Sequence, residues 1–452
     1  MMTTSSIAHP TPFIIAISAV AALGGLLFGF DTAVISGAIP YLQRYFHLTD
    51  YSLGWAVGAV LIGCAVGALG AGKLAERYGR RYMLLVCAIL FAISGLGAGL
   101  SNTLSTFSVF RFIGGLGVGA AAMISPMYIA ETAPAAWRGR LVSLYQLAIV
   151  FGILLAYLSN YLFAGLGEHS WRWMFASQVA PSVIFWAALL LVPETPRWLA
   201  GKNRNVEAAA VLNKTLGPGA APAALNSIEQ SFGNGQAAGS LAEAFGKTHR
   251  SVLLIGILIA VFQQITGINA ILYYAPVILS KTGLNAYDSL FQTIGIGAVN
   301  VLATFAAIVW VDRLGRKRLL LAGSCTMGIC LAAVALCFHF DYYQGYIVLL
   351  GVLLYVAAFA ATLGAVTWVY LSEIFPNRIR AVAMSAATLA LWLADFAVTY
   401  TFPIMTQRLS AAATLSCYAF FCALTFIYVL FKVPETTGRS LEAIEALFAR
   451  QT

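Results

Sequence analysis

The chain has 452 residues, of which 60% are hydrophobic and 10% charged, with a mean hydropathy of +0.85 and a formal net charge of +9. A soluble globular domain carries about 25% charged residues, so composition alone excludes an ordinary soluble enzyme or binding module. The basic balance does not read as a nucleic-acid footprint either, because the charges follow membrane topology.

A helix crossing a hydrocarbon core of about 30 Å needs about 20 mostly apolar residues. Twelve such spans are expected, at 13–35, 52–72, 83–100, 107–130, 141–163, 173–192, 251–279, 289–311, 319–338, 346–371, 381–405 and 411–432. The first lacks a basic leader and runs into further spans, so it reads as a membrane helix and not a cleaved signal. With loops assigned alternately to two sides, Arg44, Arg172, Lys281 and Arg408 fall on one side and Arg111 inside a span; the other 21 of the 26 Lys and Arg fall on the second side. The positive-inside rule then puts both termini in the cytoplasm. All seven cysteines lie in spans, without metal-ligand spacing to His, and are expected to pack as small apolar side chains.

The first span interrupts its own apolar pattern. "GGLLFGFDTAVISG" carries Asp31 in its middle. A carboxylate there costs roughly 2.5–3.5 kcal/mol on insertion scales. The fourth span carries the opposite charge, Arg111 in "SVFRFIGGLGVG". Pairing offsets much of the desolvation of each. Arg keeps its proton, so Asp31 is the member expected to titrate, and a proton there weakens the pair and frees the helices. The alternative is a permanently ionised structural pair. No strand precedes the glycines after Arg111, so they read as close helix packing, not a phosphate loop.

A polar segment, 194–250, divides the spans six and six. It begins helix-like at "NVEAAAVLNK" and then reads as linker through "LGPGAAPAALNS" and "FGNGQAAGS". The two halves repeat one another. "AERYGRRYML" at Ala75 matches "VDRLGRKRLL" at Val311; "YIAETAPAAWRGR" at Tyr128 matches "YLSEIFPNRIRAV" at Tyr370; "PETPRWL" at Pro193 matches "PETTGRSL" at Pro434. The offsets are 236, 242 and 241 residues, in the same order, which is an internal duplication. Parallel six-helix repeats with a site between them are one plan of secondary transporters. The expected division is 1–193 and 251–432 as bundles, 194–250 as a cytoplasmic linker with short helices, and 433–452 as a tail. The repeated motifs are ionic and lie on the cytoplasmic side. Arg80, Arg81, Arg138 and Arg140 face Glu76, Glu131 and Glu194; Arg316, Lys317, Arg378 and Arg380 sit with Asp312, Glu373 and Glu435. Arg pairs with carboxylates through a rigid planar fork, and such pairs are expected to lock the two bundles together and release them, or simply to anchor helix ends.

These motifs, with "SPMYIAETAPAAWRGRLVSLYQ", "QQITGINAILYYAP" and "WVYLSEIFPNRIR", mark the resemblance. The chain resembles the sugar porter family of the major facilitator superfamily over nearly its whole length, and is most similar to the bacterial proton-coupled xylose, galactose and arabinose porters. The resemblance implies an all-α membrane protein with twelve transmembrane helices in two six-helix bundles. It implies a monosaccharide (hexose or pentose) or polyol held between the halves. Amides suit that ligand, since Gln and Asn both donate and accept. By the resemblance the substrate residues are Gln146, Gln263, Gln264, Asn269 and Asn300, with Trp368 stacking on the sugar ring and Phe28 and Trp392 as aromatic walls. Tyr273 and Tyr274 match the extracellular gate. From the residues themselves, Gln263, Gln264 and Asn269 need not share one helix face, but a break at Gly267 converges them.

The chain also departs from the family. Leu391 stands where many relatives have an amide, Asp395 where Asn is common, and Gly364-Ala365 where Gly-Pro is common. Asp395 is left with three readings: a second titrating group, a pocket acceptor, or the partner of an unseen donor. The resemblance further implies Asp at position 31 for proton-linked porters, where facilitators carry Asn. The expected function is inward proton–sugar symport by alternating access, in a bacterial inner membrane, by a monomer with no cofactor beyond the proton. The alternatives are a uniporter with Asp31 locked, and a non-transporting nutrient sensor. No catalytic triad or metal cluster is apparent, so the chain is not expected to be an enzyme.

Overall fold

The computed structural model describes residues 11–134, 136–233, 241–246, 249–343, 346–376 and 378–437, so most of the expected tail lies outside the described residues. Twelve helices are long and apolar enough to cross a membrane: α1 Pro12–Tyr45, α2 Asp50–Tyr78, α3 Arg80–Leu100, α4 Leu104–Thr132, α5 Arg138–Leu166, α6 Ser170–Leu190, α7 His249–Tyr273, α8 Ala286–Trp310, α9 Arg316–His339, α10 Ile347–Ile374, α11 Arg380–Arg408 and α12 Ala411–Lys432. Among the described residues there is no strand. Number and order match the expected spans. Polar caps fix several starts: Thr49, Thr103, Asn285 and Ser410 each accept a backbone N–H of the first turn.

The helices pack in two sets. α1 lies on α4 and α5, α2 on α4, and α3 on α4 and α6; in the second half α7 lies on α11, α8 and α9 on α10, and α9 on α12. The first and last described residues lie with the linker at one end of the helices, here called the terminal face: Thr11 donates to the Lys214 carbonyl and Glu435 accepts from the Arg316 N–H. The linker departs from its sequence reading. Asn205–Leu216 is helical as expected, but Ala221–Gly233 is a helix too. Pro222 sits in its first turn, where the missing N–H has no intrahelical partner to lose. Leu225 and Ile228 then pack on a small core of Leu199, Ala200, Ala208 and Val211.

Four spans are broken. α1 turns at Val34, α6 at Ser177-Gln178, α7 at Thr266-Gly267 and α10 at Thr362. The α7 break is the one expected from the sequence. Gly267 has φ +92°, the left-handed region, and a Cβ there would overlap the Tyr418 ring. The Tyr355 hydroxyl donates to the Thr266 carbonyl at 2.9 Å, occupying an acceptor that the break frees.

The two sets meet through α2 against α11, α5 against α8, and the outer ends of α1 and α7. Their direct links lie away from the terminal face. The Tyr157 hydroxyl donates to the Leu272 carbonyl at 2.9 Å, Tyr161 and Tyr287 rings stand 4.4 Å apart, and Arg408 donates to the Tyr51 hydroxyl. Gly54 meets the Tyr400 carbonyl so closely that a Cβ would overlap it.

Gly267→Ala is expected to destabilise the purified protein by about 2 kcal/mol or more, from the strained φ and the Tyr418 overlap. Gly295→Ala, with open space around the new Cβ, is the matched control and leaves the melting temperature unchanged. Thermal melts of both variants in detergent check this; equal melts would refute the account of the break.

Candidate functional site

The first feature is the Asp31–Arg111 pair. Asp31 Oδ2 lies 3.1 Å from Arg111 Nη1, and both side chains are fully buried. Gly114, one turn past Arg111, makes room for the carboxylate: a Cβ there would overlap Ser94 Oγ and lie 3.1 Å from Asp31 Oδ1. The guanidinium sits 5.3 Å from the centre of the Phe175 ring, a cation–π contact away from water. The pair expected from the sequence is therefore formed, and it joins α1 to α4.

A third group was missed. Gln178 Nε2 donates to Asp31 Oδ1 at 2.8 Å, and Gln178 is wholly buried at the α6 break. The signal was available: "MFASQVAPSV" carries a lone amide inside an apolar span, the same anomaly that singles out Asp31. With it, each carboxylate oxygen has a partner on a different helix.

The second feature is a chain of amides around the breaks of α7 and α10. Asn269 Nδ2 donates to Gln264 Oε1 at 2.9 Å and to Asp395 Oδ2 at 2.7 Å. Gln264 Nε2 donates to Gln263 Oε1 at 3.4 Å, and Gln263 Nε2 to the Leu363 carbonyl at 3.1 Å. Thr399 donates to Asp395 Oδ1 at 3.2 Å. Of the three readings of Asp395, the acceptor is the arrangement present. Leu391 is buried one turn away on α11 and brings no hydrogen bond. Asn300 on α8 is buried and Gln146 on α5 half-buried, and neither makes a hydrogen bond with the described residues. Trp368 is half-buried on α10.

These two features meet on one turn of α1. Phe28 stands 5.7 Å from Trp392 of α11, Asp31 pairs with Arg111, and the Thr32 side chain meets that of Tyr273 at the end of α7. Tyr274 is buried beside it, donating to the Thr399 carbonyl at 3.1 Å and stacking 4.7 Å from Phe402. The tyrosines are thus fastened on the face away from the termini.

The third feature is the duplicated ionic cluster at the terminal face. Arg80 Nη2 lies 2.9 Å from Glu131 Oε1, while Thr195 donates to Glu131 Oε2 at 2.6 Å. Glu194 accepts the backbone N–H groups of Arg80 and Arg81, and the Arg81 side chain donates to the Leu189 and Leu190 carbonyls. In the second half Arg316 Nη2 lies 2.9 Å from Glu373 Oε1, Thr436 donates to Glu373 Oε2 at 2.6 Å, and Glu435 accepts from the Arg316 and Lys317 N–H groups. Among the described residues neither of these pairs joins the two bundles in this structure. Each pair closes inside its own bundle, because the short turn before α3 or α9 lies directly over the end of α4 or α10. Three expected members stand apart. Arg138 is exposed and outside these pairs, Glu76 offers its carbonyl to Trp198 Nε1, and Arg378 pairs with Glu243 of the linker at 2.6 Å. The Asp312 side chain lies outside the described residues.

The two repeated glutamates differ electrostatically. Burial pushes the Glu194 carboxyl above its ordinary range, against the N–H groups of Thr195, Arg81 and Arg80. At Glu435 burial acts in the same direction, but the Thr437 hydroxyl and the N–H groups of Thr437, Arg316 and Lys317 outweigh it and hold the carboxyl low.

A family model described as "Sugar (and other) transporter" matches residues 17–448. The arabinose-proton symporter of Bacillus subtilis is 41% identical, over 98% of this chain and 96% of its own length. The D-xylose-proton symporter of Escherichia coli is 40% identical, over 98% and 97%. Among solved structures, the inward open conformation of the xylose transporter XylE from E. coli superposes with a TM-score of 0.86 at 40% identity, covering 96% of this chain and all of that one. The same transporter bound to 6-bromo-6-deoxy-D-glucose superposes at 0.80, with 38% identity, over 97% and 100%.

Two stability predictions follow from the geometry. Gln178→Leu leaves Asp31 Oδ1 without its donor and is expected to lower stability by about 1–3 kcal/mol in a thermal melt; an unchanged melt would show that the amide is idle. The repeated glutamates are expected to act in opposite pH ranges. Glu435, held low, stabilises the fold above the unfolded carboxyl value of about 4.3, and this is lost as pH falls through its lower folded value. Glu194, pushed up, stabilises below the unfolded value and loses that contribution as pH rises through its higher folded value. Glu435→Gln should flatten the acid limb of melting temperature against pH, and Glu194→Gln the limb just above it. Identical profiles for the two variants would contradict the assignment.

Proposed function

The chain belongs to the sugar transporter family, and we propose that it carries a monosaccharide together with a proton across a bacterial inner membrane by alternating access, without catalysing a reaction. The observation that carries this reading is the buried Asp31–Arg111 pair on the same turn of α1 that meets Trp392 and Tyr273 of the second bundle. Asp31 takes the proton and Arg111 is its fixed counter-charge. Gln146, Gln263, Gln264, Asn269 and Asn300 hold the sugar hydroxyls, Trp368 covers a ring face, and Phe28 and Trp392 line the wall. The substrate is a hexose, a pentose or a polyol, and the working unit is a monomer with the proton as its only co-substrate.

The terminal face, which holds most of the Lys and Arg, is the cytoplasmic side. The contacts at Tyr157, Tyr161 and Tyr51 then close the outer side, so the conformation is inward-facing. The high superposition on inward open XylE supports this. In the outward-facing state Asp31 protonates from outside and sugar binds to the amides. The bundles 1–193 and 251–432 rock, the outer contacts form, and sugar and proton leave to the cytoplasm. Neutralising Asp31 removes its attraction to Arg111, an interaction whose one-sided loss costs about 3–5 kcal/mol in buried pairs. Whatever part of that loss differs between the two bundle arrangements biases the equilibrium between them.

The test is sugar-induced alkalinisation of the medium around cells or right-side-out vesicles, with xylose, arabinose, glucose, galactose and inositol as probes. At least one is expected to drive proton uptake, and Asp31→Asn to abolish that uptake while retaining sugar counterflow. Sugar entry without proton movement, insensitive to Asp31→Asn, would make this a uniporter and the pair purely structural.

A further inference from the structure

The mechanism above uses Asp31 and leaves a second buried carboxylate unexplained. Asp395 is as fully buried as Asp31, yet its partners are an amide and a hydroxyl, Asn269 and Thr399. The elements packed on α11 are α2, both parts of α7, α10, α12 and the short linker helix Leu241–Ala244. α2 brings Cys64 and α7 brings Tyr273 within electrostatic reach of Asp395. Asp31 and Arg111 lie within electrostatic reach of the same Cys64, and Arg111 of Tyr273 as well. α12 brings Tyr418, which packs at Gly267, and Glu243 of the linker pairs with Arg378 at the terminal face. Among the described residues, no cation forms an ion pair with Asp395.

What Asp395 does hold is the end of a directional chain. Both N–H groups of Asn269 are occupied, one by Gln264 Oε1 and one by Asp395 Oδ2. Gln264 therefore accepts from Asn269 and donates to Gln263, which in turn donates to the Leu363 carbonyl. Donation runs outward from Asn269, through Gln264 and Gln263 to the Leu363 carbonyl on one side and directly to Asp395 on the other. An ionised carboxylate is acceptor-only, whereas a protonated one has an O–H to donate. With Asp395 ionised, Asn269 has only its carbonyl oxygen left to offer a ligand. With Asp395 protonated, its O–H is best satisfied by that same carbonyl oxygen, which turns the Asn269 amide and removes the donor from Gln264.

We propose that Asp395 is a positioning residue that sets the polarity of the Asn269–Gln264–Gln263 relay, so that the sugar pocket carries its own protonation site, separate from Asp31. The proposal rests on the reading of these amides as the sugar pocket. It makes sugar affinity depend on the proton occupancy of Asp395. The ionised form keeps the Asn269 carbonyl free for a sugar hydroxyl and binds tightly. The protonated form competes for that carbonyl and binds weakly.

The experiment is equilibrium binding of D-xylose and L-arabinose to the purified full-length protein across a pH series, followed by intrinsic tryptophan fluorescence. Asp31→Asn serves as the background, so that the coupling carboxylate no longer titrates. In that background Kd is expected to rise as pH falls, by up to about tenfold per pH unit once Asp395 titrates. In Asp31→Asn/Asp395→Asn the Kd should be flat and near the high-pH value, because the Asn carbonyl can still accept from Asn269. A flat Kd in Asp31→Asn alone overturns the relay without any need for the second variant. A pH dependence that survives Asp395→Asn overturns it too, assigning the titration to another group. If the wild-type chain binds neither these sugars nor the hexoses and inositol, the pocket reading falls and the relay with it. Binding that is tight but insensitive to pH removes the relay alone.

Discussion

A charge inside a membrane helix has no water to solvate it, and the architecture of the first bundle is built around that constraint. Asp31 is matched by Arg111 from α4 and Gln178 from α6, in a space that Gly114 leaves open. Three helices are thereby fixed to one carboxylate. Outside water the energy of such a pair is large, and so is the cost of removing one member. The neighbours of Asp31 on α1 reach the second bundle. Phe28 and Thr32 meet Trp392 and Tyr273 of the second bundle. A change of charge at residue 31 is therefore felt within one helical turn by both walls of the cleft.

The duplication built both bundles with the same frame and then assigned them different contents. The terminal-face clusters repeat the same ion pair: Arg80 and Arg316 each lie 2.9 Å from a glutamate that also accepts a threonine hydroxyl at 2.6 Å. At mid-depth the symmetry ends. The first bundle holds an ion pair, and the second holds the amide series with Asp395. The breaks in the helices mark these places. Gln178 sits at the break of α6, Gln263, Gln264 and Asn269 around that of α7, and Leu363 just past that of α10. Discontinuous helices release backbone groups at membrane depth, and polar side chains gather where those groups need partners.

Much of this was legible in the sequence because it rests on composition and spacing. Apolar runs placed the twelve helices, near-constant offsets revealed the repeat, and two isolated charges in neighbouring spans identified the Asp31–Arg111 pair. Gly267 beside the polar pair Gln263-Gln264 signalled the α7 break. What was not legible depended on tertiary placement. Glu131 has several arginines within reach in sequence, and only the fold selects Arg80 over Arg138. Gln178 stood in plain view, but an uncharged amide draws less notice than a carboxylate until the carboxylate is seen to need it. The helix Ala221–Gly233 was hidden by Gly and Pro just before and within its first turn, residues that mark helix starts as readily as loops.

The same geometry divides strong contacts from weak ones, and the division matches what a rocking transporter requires. Contacts within each bundle include buried ion pairs whose one-sided loss costs about 3–5 kcal/mol. Contacts between bundles are of another kind. They include the Tyr157–Leu272 and Arg408–Tyr51 hydrogen bonds, the Tyr161–Tyr287 and Phe28–Trp392 ring contacts, and close passages such as Gly54 against Tyr400. Single neutral hydrogen bonds and ring pairs contribute about 0.5–1.5 kcal/mol each, and lipid supplies no hydrophobic drive for helices to stay together. A few such contacts hold one face shut firmly enough to be populated and loosely enough to be exchanged for contacts on the other. The Asp31–Arg111 pair lies within a bundle, yet a proton can abolish its attraction, and its neighbours on α1 reach across the cleft. On the function proposed above, a change of charge at Asp31 would act on its own bundle through Arg111 and on the other through Phe28, all from one turn of α1.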